Sequence, residues 1–155
     1  MGSYQEHALE GASAVDLVVA LYDGILRFLY AASAAVERGD AVARRIAVKR
    51  AMDIIIHLQA RLRMDVGGRP AQALSEFYAS IFAQILQASQ SASRQKFEHA
   101  IDCVRTVRDA WRTVAKDPNA ELVLPRVPVM PVPPRPAGES SEARPDAAAS
   151  SSWTA

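Results

Sequence analysis

The chain has 155 residues, half of them hydrophobic and 23% charged, which is the composition of one globular domain. Eighteen basic residues against 17 acidic ones leave a formal charge of +1, so nucleic acid is not an expected partner. The lone cysteine, Cys103, excludes an intrachain disulfide and a multi-cysteine zinc site, and fits a reducing compartment. The stretch Met1-Gly2-Ser3-Tyr4-Gln5-Glu6-His7 lacks the basic and apolar regions of a secretory signal. No membrane span is expected, because the apolar runs are broken by Asp23 and Arg27 or by Asp53 and His57.

In chain order, residues 1–12 are expected to form a short helix or an extended arm. The first long helix is predicted over residues 14–38, with Ser13 as N-cap and Asp16 completing a Ser-x-x-Asp arrangement. A second follows the Asp40 cap and runs to about Met64. A third opens near Pro70, a residue suited to a first turn, and runs to about Ser91. A fourth starts at Ser93 and ends before Pro118, although no Gly or Pro separates it from the third. Short connections between long helices make neighbours antiparallel. The expected fold is therefore all-α, an antiparallel up-down four-helix bundle over residues 1–117. Eight of the nine prolines lie between Pro118 and Pro145. Residues 118–155 are thus expected to be a disordered, polyproline-favouring tail, with Trp153 an ordinary residue near its end.

Each helix carries an apolar stripe at i, i+3, i+4, i+7 spacing. On the second it is Val48, Met52, Ile55 and Leu62, widened by Ala51, Ile54 and Leu58. On the third it is Leu74, Phe77, Tyr78, Ile81, Ile85 and Ala88; on the fourth, Phe97, Ile101, Val104, Trp111 and Val114, with Ala100 and Val107 alongside. The first helix has two stripes. One is Val18, Leu21, Ile25, Phe28 and Ala32; the other is Val15, Val19, Tyr22, Leu26, Leu29 and Val36. An outer helix of a small bundle needs only one, so the second is a candidate partner surface. Which of the two faces the core is left open. Ile54-Ile55-Ile56 cannot all point inward either.

No catalytic constellation stands out, and no enzyme activity or cofactor is expected. His7, His57 and His99 lie on different elements, and Asp53 with His57 is a lone i, i+4 pair. Cys103 reads as a small hydrophobe. Arg44, Arg45, Lys49 and Arg50 lack interleaved aromatics and read as a solvated helix face.

The segment Leu17-Val18-Val19-Ala20-Leu21-Tyr22-Asp23-Gly24-Ile25-Leu26-Arg27-Phe28-Leu29 resembles the signature of the flagellar secretion chaperone family FliS, with Leu21, Tyr22, Asp23 and Gly24 as its core. Weaker matches follow in order: Glu37-Arg38-Gly39-Asp40, Ala51-Met52-Asp53-Ile54-Ile55, Met64-Asp65-Val66-Gly67-Gly68, Leu74 with Tyr78, and Ala110-Trp111. The resemblance covers about residues 4–116. The proline usual before the first helix is missing from Gly11-Ala12-Ser13-Ala14, and Arg69-Pro70 replaces an acidic and apolar pair. The proline-rich tail has no counterpart in it.

The resemblance implies a cytoplasmic chaperone that binds the disordered C-terminal segment of flagellin, prevents premature polymerisation and aids delivery to the export apparatus. Helix-in-groove recognition with coupled folding would be the physical mode. The expected contact residues are Val15, Val19, Tyr22, Leu26, Leu29 and Val36, with Ile54 and Leu58 on the second helix. Gly24 is expected to permit close packing, and Asp23 to hold the N-terminal arm or a client. The alternative is a self-associating helical protein that forms a homodimer through the same stripe.

Overall fold

The computed structural model describes residues 2–65 and 67–117, together with Asn119, Leu122 and Leu124, with side-chain environments from Ala14 onward. Four helices account for nearly all of these residues: α1 (Gly2–Arg38), α2 (Ala41–Ala60), α3 (Gly68–Gln90) and α4 (Arg94–Lys116). Each packs on its neighbours around a ring, α1 on α2 and α4, and α3 on α2 and α4, which is the expected four-helix bundle. Most of the expected tail lies outside the described residues.

The caps explain two of the joints. Asp40 accepts from the Ala43 N–H at 3.0 Å and starts α2; Ser93 does the same for the Lys96 N–H at 3.2 Å and starts α4. The joints share one geometry. Gly39 (φ 69) ends α1 with N–H bonds from Gly39 to Val36 O and from Asp40 to Ala35 O. Ala92 (φ 47) ends α3 with the equivalent bonds from Ala92 to Ser89 O and from Ser93 to Ala88 O. Both are Schellman closures whose last residue caps the next helix. A β-carbon in the left-handed region is costly, so Ala92 carries strain that Gly39 avoids.

Two boundaries differ from expectation. α1 does not begin at Ser13 but continues from Gly2, with no separate arm. Glu6, Ala8, Leu9, Glu10 and Ala12 are good helix formers, and one glycine, Gly11, costs only about 1 kcal/mol against them. α2 stops at Ala60, four residues before Met64. The chain turns there through Arg61, whose N–H bonds back to Leu58 O, and half-buried Leu62 folds onto the core. Close to the next helix start, a β-carbon on Gly67 would sit 2.5 Å from Ala71 Cβ and 2.7 Å from Arg63 O, so only glycine fits.

The expected stripe of α3 and most of that of α4 are the observed core: Leu74, Phe77, Tyr78, Ile81, Ile85 and Ala88 face Phe97, Ala100, Ile101, Val104 and Val107, while Trp111 and Val114 are only half-buried. The stretch Ala14–Arg38 reaches a mean hydropathy of 1.5 in its most apolar window, so by length and composition alone it is long enough to cross a membrane, a test that the core helix of a bundle also passes. In the bundle those apolar side chains pack on α2 and α4.

Candidate functional site

The four signature residues point in four directions. Consecutive residues on a helix are about 100° apart, so Leu21, Tyr22, Asp23 and Gly24 sample the whole circumference of α1. Each meets something different. Leu21 packs half-buried against the core. Tyr22 crosses the bundle and donates its hydroxyl hydrogen to the Tyr78 hydroxyl of α3 at 2.8 Å, with the ring centroids 6.2 Å apart. Asp23 accepts from Arg108 of α4 at 3.1 Å and lies 3.8 Å from Arg112. Gly24 seats Ile54 of α2: a β-carbon there would lie 3.1 Å from Ile54 Cδ1. One short motif thus fixes α1 against all three partners.

Asp23 and Gly24 also mark the edges of the buried arc. They lie about 100° apart on the outer side, leaving roughly 260° of α1 turned inward. Leu17, Ala20, Arg27 and Ala31 lie outside, and Tyr30 is also exposed at the α4 edge. This accounts for both apolar stripes and corrects the expected partner surface. Tyr22 (0% exposed), Leu26 (4%) and Leu29 (0%) are core residues, and so is Leu58 on α2. Val15, Val19, Val36 and Ile54 are half-buried, with Val36 and Ile54 packed on the core. Val19 also lines an open hollow of about 490 Å³ between α1 and α4, with Asp16, Arg112, Ala115 and Lys116.

The Tyr22–Tyr78 pair lies in a dry setting. Burial and then the neighbouring phenol hold Tyr22 far above the ordinary tyrosine range, and burial pushes Tyr78 up to about 12. Both are neutral over the physiological range. The buried Trp111 Nε1 of α4 has no hydrogen-bond partner.

The α1–α4 seam is laced with polar contacts at seven-residue spacing along α1. Asp23 meets Arg108, Tyr30 meets Arg105, and Glu37 meets Arg94. The last two are exposed and worth at most about 1 kcal/mol each. The basic cluster of α2 does not form one face. Lys49 pairs with Asp53 at 3.1 Å, Arg50 lies over the Phe28 ring at 5.9 Å with Arg27 at 5.3 Å, and Arg44 Nε is buried without a partner. His57 is exposed, and His99 Nε2 lies 3.9 Å from Cys103 Sγ. Burial raises the Cys103 thiol above its usual value, so it is a poor nucleophile. Among the described residues no group of three or more His, Cys, Asp or Glu could hold a metal ion.

The α2–α3 seam is different. Gln59 Nε2 donates to Ser75 Oγ at 2.9 Å. In antiparallel helices that pairing sets Met52 level with Phe82, and Ile56 level with Tyr78. Met52 and Phe82 are half-buried at the core's edge, while Ile56 and Leu86 are 55% and 40% exposed. Met52 with Ile56, and Phe82 with Leu86, are i, i+4 pairs and so stack along one face of each helix. The result is an open apolar groove with an adaptable methionine in it, and exposed Lys49 stands on the same side of α2, three residues before Met52. Sequence reading placed Met52 in the core stripe, chose Ile54 over Ile56, and passed over Phe82 and Leu86. The available signal was an apolar i, i+4 pair lying off the α3 stripe, next to another on α2.

Comparison with known proteins agrees with this architecture. The family model for the flagellar protein FliS matches residues 1–118. The flagellar secretion chaperone FliS of Salmonella typhimurium (strain LT2) is 32% identical over 111 residues, covering 71% of this chain and 82% of that protein. The protein of the same name from Vibrio cholerae is 31% identical over 103 residues (66% and 76%), and that from Campylobacter jejuni 30% over 112 residues (72% and 88%). The match ends where α4 ends, and together with the hub built from Leu21, Tyr22, Asp23 and Gly24 it shows that the chain belongs to the FliS family of flagellar proteins.

Proposed function

We propose that the chain is a flagellar export chaperone of the bacterial cytoplasm, binding the disordered C-terminal segment of flagellin, preventing its premature polymerisation and aiding its delivery to the export apparatus. Family membership supports the class of function. The observation that carries the binding mode is the groove of Met52, Ile56, Phe82 and Leu86 between α2 and α3. An amphipathic client segment gains a partner for its apolar side there and becomes helical on binding. Ordering it costs about 2–5 kcal/mol, which sets the need for a broad apolar contact. Half-buried Val15 and Val19, beside the α1–α4 hollow, and Val36 and Ile54 at the seams of α1, serve as secondary contacts for a client that wraps the bundle. Tyr22, Leu26, Leu29 and Leu58 support that surface from inside. No cofactor and no catalytic step enter this account.

Calorimetric titration of the full chain with a peptide from the C-terminal end of the same organism's flagellin tests the reading. Saturable one-to-one binding is expected, with a negative heat-capacity change and a gain in helicity. Absence of binding at tens of micromolar by a folded chain would overturn it. A concentration-dependent mass in that case would favour the self-associating alternative.

A further inference from the structure

The chain beyond α4 makes a contact that lies outside the family match. Leu122 and Leu124 are half-buried and pack against the core, past residue 118 where the match ends. They follow the end of α4 at Lys116. In an up-down bundle that end also holds the last turn of α2 and the first turn of α3, where the α2–α3 groove opens.

From Leu124 the sequence runs Pro125-Arg126-Val127-Pro128-Val129-Met130-Pro131-Val132-Pro133-Pro134-Arg135-Pro136, without an acidic residue. Proline at this density favours a polyproline helix of three residues per turn. That period puts Leu124, Val127 and Met130 on one edge. In that conformation the edge seated on the core at Leu124 would continue as an apolar ridge. The lengths agree: Leu124 to Met130 spans about 19 Å as a polyproline helix, and Ala71 to Leu86 along α3 spans about 22 Å.

We propose that residues 125–136 lie in the α2–α3 groove as an intramolecular occupant, with Val127 and Met130 over Ile56, Met52 and Phe82, and that a client segment displaces them. Displacement presupposes the chaperone reading; docking of the tail does not. A tethered segment has an effective concentration in the millimolar range, enough to make a weak ligand a real competitor. The client must then outbid the tail, so weak apolar peptides are turned away.

The test uses the full chain with the photo-reactive residue benzoylphenylalanine in place of Met130 and, separately, of Val127. Irradiation and mass spectrometry should yield cross-links within one chain to Met52, Ile56, Phe82 or Leu86. The Ile56→Glu change in the same chains should remove them. Cross-links scattered over other faces, cross-links between chains, or none at either position would overturn the proposal. A full chain carrying Val127→Asp and Met130→Asp should bind the flagellin peptide about tenfold more tightly. Equal affinity alongside groove cross-links would overturn displacement. Groove cross-links in a chain that binds no flagellin peptide, with or without the tail changes, would uphold docking and overturn the chaperone reading.

Discussion

The seams on either side of α1 and the seam between α2 and α3 are built on opposite plans. At the signature turn of α1 each neighbouring helix has a specified partner: Ile54 against Gly24, Tyr78 against Tyr22, Arg108 and Arg112 against Asp23. Between α2 and α3 one hydrogen bond, Gln59 to Ser75, is followed by apolar side chains left partly or largely exposed. The most recognisable residues of the chain thus make its fold, while the surface proposed for a client is assembled from residues that carry no motif. A signature marks where geometry tolerates no alternative. A chaperone groove tolerates many, because a sequence-tolerant apolar contact is what a flexible client needs.

Four experiments break or sharpen this contrast. The largest effect is expected from Leu26→Glu, which buries a charge in the core beside Tyr22. It should cost upward of about 4 kcal/mol and abolish cooperative thermal unfolding. A folded Leu26→Glu chain that merely loses client binding would mean that Leu26 faces a partner after all. Ile56→Glu is the converse. It should leave the melting temperature nearly unchanged, with a stability change within about 0.5 kcal/mol, because the side chain is 55% exposed. Flagellin-peptide affinity should fall by about tenfold or more in calorimetry.

Next comes Tyr22→Phe, which leaves the Tyr78 hydroxyl buried without its partner and should cost about 1–3 kcal/mol. The double change Tyr22→Phe with Tyr78→Phe should cost less than the single one. Both phenols are held above the unfolded value of 10.0, so the neutral forms are favoured by folding. Their contribution is whole below pH 10.0 and is lost as pH rises beyond it. Chemical denaturation across that range should show a steeper alkaline loss in the parent chain than in the double variant. The smallest effect is a gain: Ala92→Gly relieves the left-handed strain at the α3–α4 joint and should stabilise by about 1 kcal/mol. The matching change Gly39→Ala should destabilise by a similar amount.

Much of the architecture is legible in the residues themselves. Asp40 caps the helix it was expected to cap, and Ser93 stands at the expected start of α4 and caps it. The stripes of α3 and α4 are continuous and single, so their inward faces follow from period alone. Cap chemistry and periodicity are local properties, satisfied within a few residues. The start of α1 escaped this logic because Ser13 offers a cap that a continuous helix does not use.

What the sequence determined by itself is therefore the number of helices, their joints, the core of α3 and α4, and the presence of more apolar surface than one stripe requires. Only the tertiary structure decided where that surplus goes. Flanked by α2 and α4, α1 turns about two-thirds of its circumference inward and consumes both stripes. Part of the surplus that stays exposed lies on Ile56 and Leu86, beside Met52 and Phe82; Leu17, Tyr30, Val42, Ile46 and Met64 carry the rest. A helix's own pattern states how much apolar surface it has. Whether one neighbour or two cover it depends on interhelical distance and register, and here Gly24 and the Gln59–Ser75 pairing set both.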